Sequence, residues 1–268
     1  MTSSERLRPD AWIGDFSVPV GSSLALTVGP LSLNVHRSPR EWLIRHQSTG
    51  ELYADGVTLE RRQEARSEPE DRSEHRFVLT GDSTALRIAP RLPDRAIVSR
   101  PLTPLSIPAS ETARLYLSYP LWVTVAAGAP ARELLEFPSM RLSDTWFGDN
   151  TLEGVLCYAT RSRCRLDLAE HPHLPYRAIT PLVIRNQAKE TLLLDRVRLP
   201  VATLSLYRDA DGRFWTQEVT LTRQAGGGLA DLALGSGAPA EAAGASRIAE
   251  PREAPQRNTL VRAFSALF

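Results

Sequence analysis

The sequence predicts an all-β protein, and three observations carry that prediction. Apolar and polar residues alternate with a period of two in LALTV (24–28), LSLNV (31–35), TALRI (84–88), RLYLSY (114–119) and TLSLY (203–207), the pattern of strands with one buried face. Turn signals separate the runs at short intervals: Gly29-Pro30, Ser38-Pro39, Thr49-Gly50, Asp55-Gly56, Gly81-Asp82 and Asp211-Gly212. Twenty Pro spread through 268 residues disfavour long helices, because Pro brings no backbone donor to a helix interior. Many short, evenly spaced strands point to an antiparallel β-sandwich rather than one open sheet.

Taken in order, the chain opens on MTSSERLRPDAW, which lacks the apolar run of a signal peptide, so a cytoplasmic location is expected. Residues 60–76 hold six acids and five Arg around Pro69, which reads as a solvated hairpin tip. A break near Pro138–Asp144 separates an N-terminal unit (1–140) from a second unit (141–224) with strands near 152–158, 163–168, 176–184, 191–199, 202–208 and 213–223. Two segments on either side of the break look alike: PLSIPASETARLYLSYPLWVTV (104–125) and PLVIRNQAKETLLLDRVRLPVATLSL (181–206). Each has Pro-Leu-x-Ile, a polar turn with Glu-Thr, and an alternating strand. Two packed sandwich units are therefore expected.

Residues 225–257 differ in character. Ala, Gly and Pro fill 19 of the 34 positions from 225 to 258, too little apolar surface to offset chain entropy. A flexible tether is expected, with at most a short strand at Leu229–Leu234. In the last segment, 258–268, Asn258 is a good N-cap. Leu260, Val261, Phe264, Leu267 and Phe268 then fall on one helical face. A short amphipathic helix is expected, and it would need a docking surface to persist.

Charge and composition exclude some functions. The longest apolar stretches fall far short of the ~18–20 residues a membrane helix needs. Formal net charge is +1, without the basic excess of a nucleic-acid binder. Lys189 is the only Lys among 32 basic residues; it lies in a polar turn, where nothing would lower its pKa for Schiff-base chemistry.

Candidate chemistry is sparse. His171 and His173 form an HxH pair with Asp167 and Glu170 nearby. The cupin-like pattern would also need a Glu where Tyr176 and Arg177 stand, so these are weak metal-site candidates and no metal or cofactor is expected. A GxSxG elbow outside the tail, a Walker loop and a GxGxxG motif are all missing. Cys157 and Cys164 read as a cross-strand pair around a turn at Thr160-Arg161, both as thiols in a reducing compartment. The most distinctive stretch is SDTWFGDNTLEGVLCY (143–158). Asp144, Trp146, Phe147, Asp149, Asn150 and Glu153 could line an acidic, aromatic ligand pocket. Alternatively, Trp146 and Phe147 plug a seam above an Asx-stabilised turn.

WFGDNTLEGVLCY resembles the Tyr-Gly-x-x-x-x-Gly-x-Ile/Leu-Cys-Arg/Tyr motif of domain-of-unknown-function family 432, known mainly from archaea. The proline-flanked strand pair at 104–125 and the V-x-x-x-N segment at 181–200 are similar to that family as well. The match runs in order over roughly residues 20–222, with Trp146-Phe147-Gly148 where the family tends to have Leu-Tyr-Gly. The resemblance implies no established activity and carries over no catalytic residue. It does imply a membrane-protein partner, such as a small mechanosensitive channel, and hence a location peripheral to the inner membrane.

From these readings a non-catalytic interaction or accessory module is expected, docking through Leu260, Val261, Phe264, Leu267 and Phe268. A small-ligand sensor built on residues 144–153 is the second expectation. A metal-dependent enzyme using His171, His173 and Asp167 is the third.

Overall fold

Leu24, Leu26 and Val28 turn inward from the strand Ser22–Val28, and Leu31, Leu33 and Val35 do the same from Leu31–Arg37. The period of two thus becomes a pleated sheet with one face in the core. The computed structural model describes residues 7–62, 74–79, 81–148, 154–162, 164–224, 229–254, 259–262 and 264. Among these the chain is nearly all β; its helical elements are the 3-10 turns Leu168–Glu170, Val201–Thr203 and Ala240–Ala242.

The described strands form five sheets. One runs Val57–Arg62, Ser22–Val28, Leu31–Arg37, Glu41–Ser48, Glu74–Val78. Its two outermost strands flank the charged segment expected to be a hairpin tip. They are not partners of each other but opposite edges of the sheet; residues 63–73 themselves lie outside the described residues. A four-stranded sheet joins Gly14–Ser17, Ala85–Arg91, Trp122–Ala127 and Arg132–Pro138, and another joins Ser143–Phe147, Val155–Ser162, Ile97–Pro101 and Val197–Leu199.

The largest sheet is centred on Arg177–Asn186, which pairs antiparallel with Thr112–Pro120 and parallel with Phe214–Trp215 and Val219–Arg223. Val155–Ser162 also pairs parallel with Ile97–Pro101. The expectation of purely antiparallel sheets is corrected accordingly. Parallel neighbours need long connections, and alternation within one strand carries no information about them.

The two look-alike segments pair with each other. Leu105–Ile107 of the first lies against Leu192–Leu194 of the second, and residues 112–116 of the first lie against 181–185 of the second, within the pairing of Thr112–Pro120 with Arg177–Asn186. Asn186 ties the crossing, its side-chain amide donating to the carbonyls of Ile107, Pro108 and Glu190 at 2.8–3.0 Å. The expected break at 140/141 is therefore spanned by strand pairs, and one apolar core includes residues from Trp12 to Phe264.

Two expectations about the C-terminal region are corrected. The short strand allowed for at Leu229–Leu234 is present, and beyond it part of the expected tether is built in, since Ser246–Ala249 is a strand as well. Glu241 anchors the turn between them, accepting from Arg114 Nε and Nη2 at 2.9 and 2.7 Å and from the Tyr116 hydroxyl at 2.6 Å. Arg252, within the expected tether, binds the Leu92 carbonyl and the Glu136 carboxylate.

The expected amphipathic helix is a strand, Thr259–Arg262, antiparallel to Leu229–Leu234 with Leu260 opposite Asp231 and Val261 opposite Ala230. Phe264 bridges Val197 and is 4% exposed in the protein's own core. A helix this short is marginal in water, whereas the edge of Leu229–Leu234 supplies ready backbone partners. Leu267 and Phe268 lie outside the described residues. Among the described residues, no helix is long and apolar enough to cross a membrane.

Candidate anion-binding cavity

The strand Thr112–Pro120 presents Ser118 to a hollow beside the central sheet, and basic residues from later segments gather around it. Arg177, at the start of its strand, donates from Nε to Ser118 Oγ at 3.1 Å and from Nη2 to the Ser118 carbonyl at 2.6 Å. His171 Nε2 lies 3.0 Å from the Tyr116 carbonyl. A carbonyl only accepts, so Nε2 carries the proton and Nδ1 is the nitrogen left for a ligand. Arg165 joins the same strand through its backbone, the Tyr116 amide donating to its carbonyl at 3.0 Å.

Two further walls close the hollow. In one, Leu52 and Tyr53 belong to a loop tied down by the Tyr176 hydroxyl, which donates to the Leu52 carbonyl at 2.6 Å. Tyr176 is fully buried and packs under Gly29, whose φ of +54° and missing Cβ let the ring approach. In the other, Arg141, Leu142 and Ser143 face Ala159, Thr160 and Arg161, with Ser143 paired to Ala159 across the sheet.

The cavity is open to solvent on one side and measures about 390 Å³, within the range of small-molecule sites. Arg141, Arg161, Arg165, Arg177 and His171 line it, and among the described residues no Asp or Glu does. Arg165 has a distant pairing with Glu170 at 3.9 Å. Among the described residues no carboxylate forms an ion pair with Arg141, Arg161 or Arg177. Such a lining repels cations and offers guanidinium forks to oxyanions.

Electrostatics agree with the geometry. Burial pulls the Arg177 guanidinium below its ordinary pKa, partly opposed by the Tyr176 and Tyr53 phenols. Burial, then the charge of Arg165, pushes His171 down to about 4, with Arg177 and Arg213 adding to the effect. The imidazole is thus neutral near pH 7, held so by positive neighbours that an anion would neutralise.

The residues singled out from sequence are placed as follows. Asp144, Trp146 and Phe147 lie on the strand Ser143–Phe147, not in a loop. Asp144 is exposed and pairs with Arg95 at 3.3 Å. Trp146 is 42% exposed, while Phe147 packs with Val98 and Cys157. Strand alternation thus separates Trp146 from Phe147, so the two form neither one pocket nor one plug. Asp149, Asn150 and Glu153 lie outside the described residues.

His171 and His173 diverge. His173 sits beside Arg213 and Phe214 in a separate small hollow. Asp167 caps the turn Leu168–Glu170 by accepting from the Ala169 amide at 2.9 Å. Among the described residues no three His, Cys, Asp or Glu side chains are grouped to hold a metal ion. The expected cysteine hairpin is corrected too: Val155–Ser162 runs straight through Thr160-Arg161, leaving Cys157 and Cys164 as separate buried thiols. Of the described residues proposed from sequence, His171 alone lines the cavity. The four arginines have no motif spacing, and in a chain with 31 Arg nothing marks them out.

Comparison with curated proteins and with solved structures finds no match. A family model does match, over residues 13–268. That span takes in both look-alike segments, all of the cavity and the C-terminal strand, and by it the chain belongs to the family described as Protein of unknown function (DUF432).

Proposed function

We propose that this protein is a ligand-binding module that takes up an anionic small molecule in the arginine-lined cavity. One observation carries the proposal: four guanidiniums and an imidazole line a cavity that, among the described residues, no carboxylate lines. Concentrated like charge costs stability unless a ligand or solvent compensates it, and a half-buried guanidinium that commits Nε and one Nη2 bond to Ser118 still has donors for an incoming oxyanion. The interaction role expected from the sequence is retained. Its recognising surface moves from the terminal segment, where Phe264 is taken up by the core, to the cavity. An accessory role beside a membrane protein fits a module whose partner binding responds to a small anion.

Isothermal titration calorimetry with small oxyanions tests the proposal. Binding should weaken about ten-fold or more on Arg177→Gln or Arg165→Gln, the range for loss of a hydrogen bond to a charged group. It should survive Arg132→Gln, a substitution on an edge strand away from the cavity. Absence of binding to the parent protein at low ionic strength would refute it.

A further inference from the structure

The cavity has two chemically distinct sides. Ser118, Arg165, His171 and Arg177 gather around the strand Thr112–Pro120 and are joined to it or to one another by the bonds described above. Leu52, Tyr53, Met140, Leu142, Pro172 and Leu174 supply apolar and aromatic surface. Leu52 and Tyr53 are 56% and 62% exposed, on a loop whose carbonyl is fixed by Tyr176. A held loop displaying exposed apolar side chains at the mouth of a charged cavity is an unusual use of surface, because such groups normally turn inward or scatter. They gain a role if the ligand brings an apolar body to them.

Resting on the anion-binding reading, we infer that the ligand is an organic phosphate monoester. Its phosphoryl group would lie at Arg165, Arg177 and His171, and its short apolar or aromatic body against Leu52, Tyr53 and Leu142. Three considerations support this class. A phosphate monoester is close to a dianion near pH 7 and offers three terminal acceptor oxygens, which suits several guanidinium donors better than a single carboxylate does. A bare inorganic ion would leave most of a cavity of about 390 Å³ unfilled, whereas sites of this size enclose larger molecules. The chain as a whole carries a net charge of only +1, so its positive potential is local to the cavity and suits a small anion better than a long polyanion.

Four probes test the inference on the full-length protein by calorimetry: inorganic phosphate, phenyl phosphate, phenyl sulfate and vesicles containing phosphatidic acid. Phenyl phosphate should bind at least about ten-fold more tightly than inorganic phosphate, through the apolar wall, and than phenyl sulfate, through the second charge. Tyr53→Ser, at an exposed position where the fold is not at stake, should weaken phenyl phosphate several-fold and leave inorganic phosphate unchanged. Arg177→Gln should weaken both. Equal affinities for inorganic and phenyl phosphate would overturn the inference while leaving the anion cavity standing. Equal affinities for phenyl phosphate and phenyl sulfate would overturn the dianion requirement. Silence from all three soluble probes would remove the anion-binding reading itself, and vesicle binding in their absence would assign the arginines to a lipid headgroup instead.

Discussion

Arg177 and Ser118 are held together by two hydrogen bonds, one to the serine hydroxyl at 3.1 Å and one to its carbonyl at 2.6 Å. The pair lies across adjacent antiparallel strands, with Pro120 opposite Arg177 and Ser118 opposite Ile179. A guanidinium with five donors that spends two on a serine is oriented without being neutralised. Ser118→Ala removes the hydroxyl but not the carbonyl. Stability should fall by about 1 kcal/mol, read from urea unfolding, and oxyanion affinity should fall several-fold because Arg177 gains freedom to turn.

The loop wall depends on Gly29. A Cβ there would lie 2.4 Å from the Tyr176 ring and 2.7 Å from the Ala54 carbonyl, on a backbone with φ +54°. Tyr176 is fully buried and cannot swing aside. Gly29→Ala should cost at least about 2 kcal/mol from strain and overpacking together, measured as a drop in denaturation midpoint. Tyr176→Phe should cost only about 1 kcal/mol, since it keeps the ring and loses the bond to Leu52.

Phe264 decides whether the C-terminal segment is an anchor or a free peptide. At 4% exposure in the main core, its replacement by Ala should destabilise the protein by about 3 kcal/mol or more. Truncation after residue 257 should do so too, with a melting temperature several degrees lower. An unchanged melting temperature would return the segment to the docking role that its helical pattern suggests.

Acid should loosen the turn at Ala240–Ala242. Bonds from Tyr116 and Arg114 outweigh the cost of burial and hold the Glu241 carboxyl below its ordinary pKa. A depressed folded pKa contributes stability above the unfolded value, about 4.5, which is lost as pH falls through the folded value. Glu241→Gln should therefore lower stability at pH 7 and flatten its decline below pH 5, as followed by thermal unfolding across pH.

His171 should report ligand by proton uptake. Its folded pKa of about 4 lies below the ordinary 6.5, so the folded state binds fewer protons than the unfolded chain between these values, and stability falls as pH drops through that window. A bound oxyanion offsets Arg165 and Arg177 and raises the imidazole pKa. By linkage, an anion of fixed charge such as phenyl sulfate should then bind more tightly as pH is lowered from 7 toward 5. The His171 ring proton shifts in NMR titrations with and without the ligand check this; a ligand-independent titration curve would refute the coupling.

The sequence by itself determined that this chain makes sheets. Alternation at 24–28, 31–35, 84–88 and 114–119 corresponds to the strands Ser22–Val28, Leu31–Arg37, Ala85–Arg91 and Thr112–Pro120, because side chains one residue apart must face opposite sides of a pleat. It also determined the family, through short motifs around Gly148 and Asn186 that lie within the matched span.

Only the tertiary structure decided which strands meet. The look-alike segments pair with each other across a point that composition marks as a boundary, and backbone hydrogen bonding between distant strands leaves little trace in local pattern. The terminal residues satisfy a helical period, yet they pair as a strand because an open sheet edge supplies more than a short isolated helix can retain. The cavity was hidden for the same reason. Arg141, Arg161, Arg165 and Arg177 converge only after parallel and antiparallel pairings bring their segments together, and no spacing along the chain encodes a convergence made by long-range pairing.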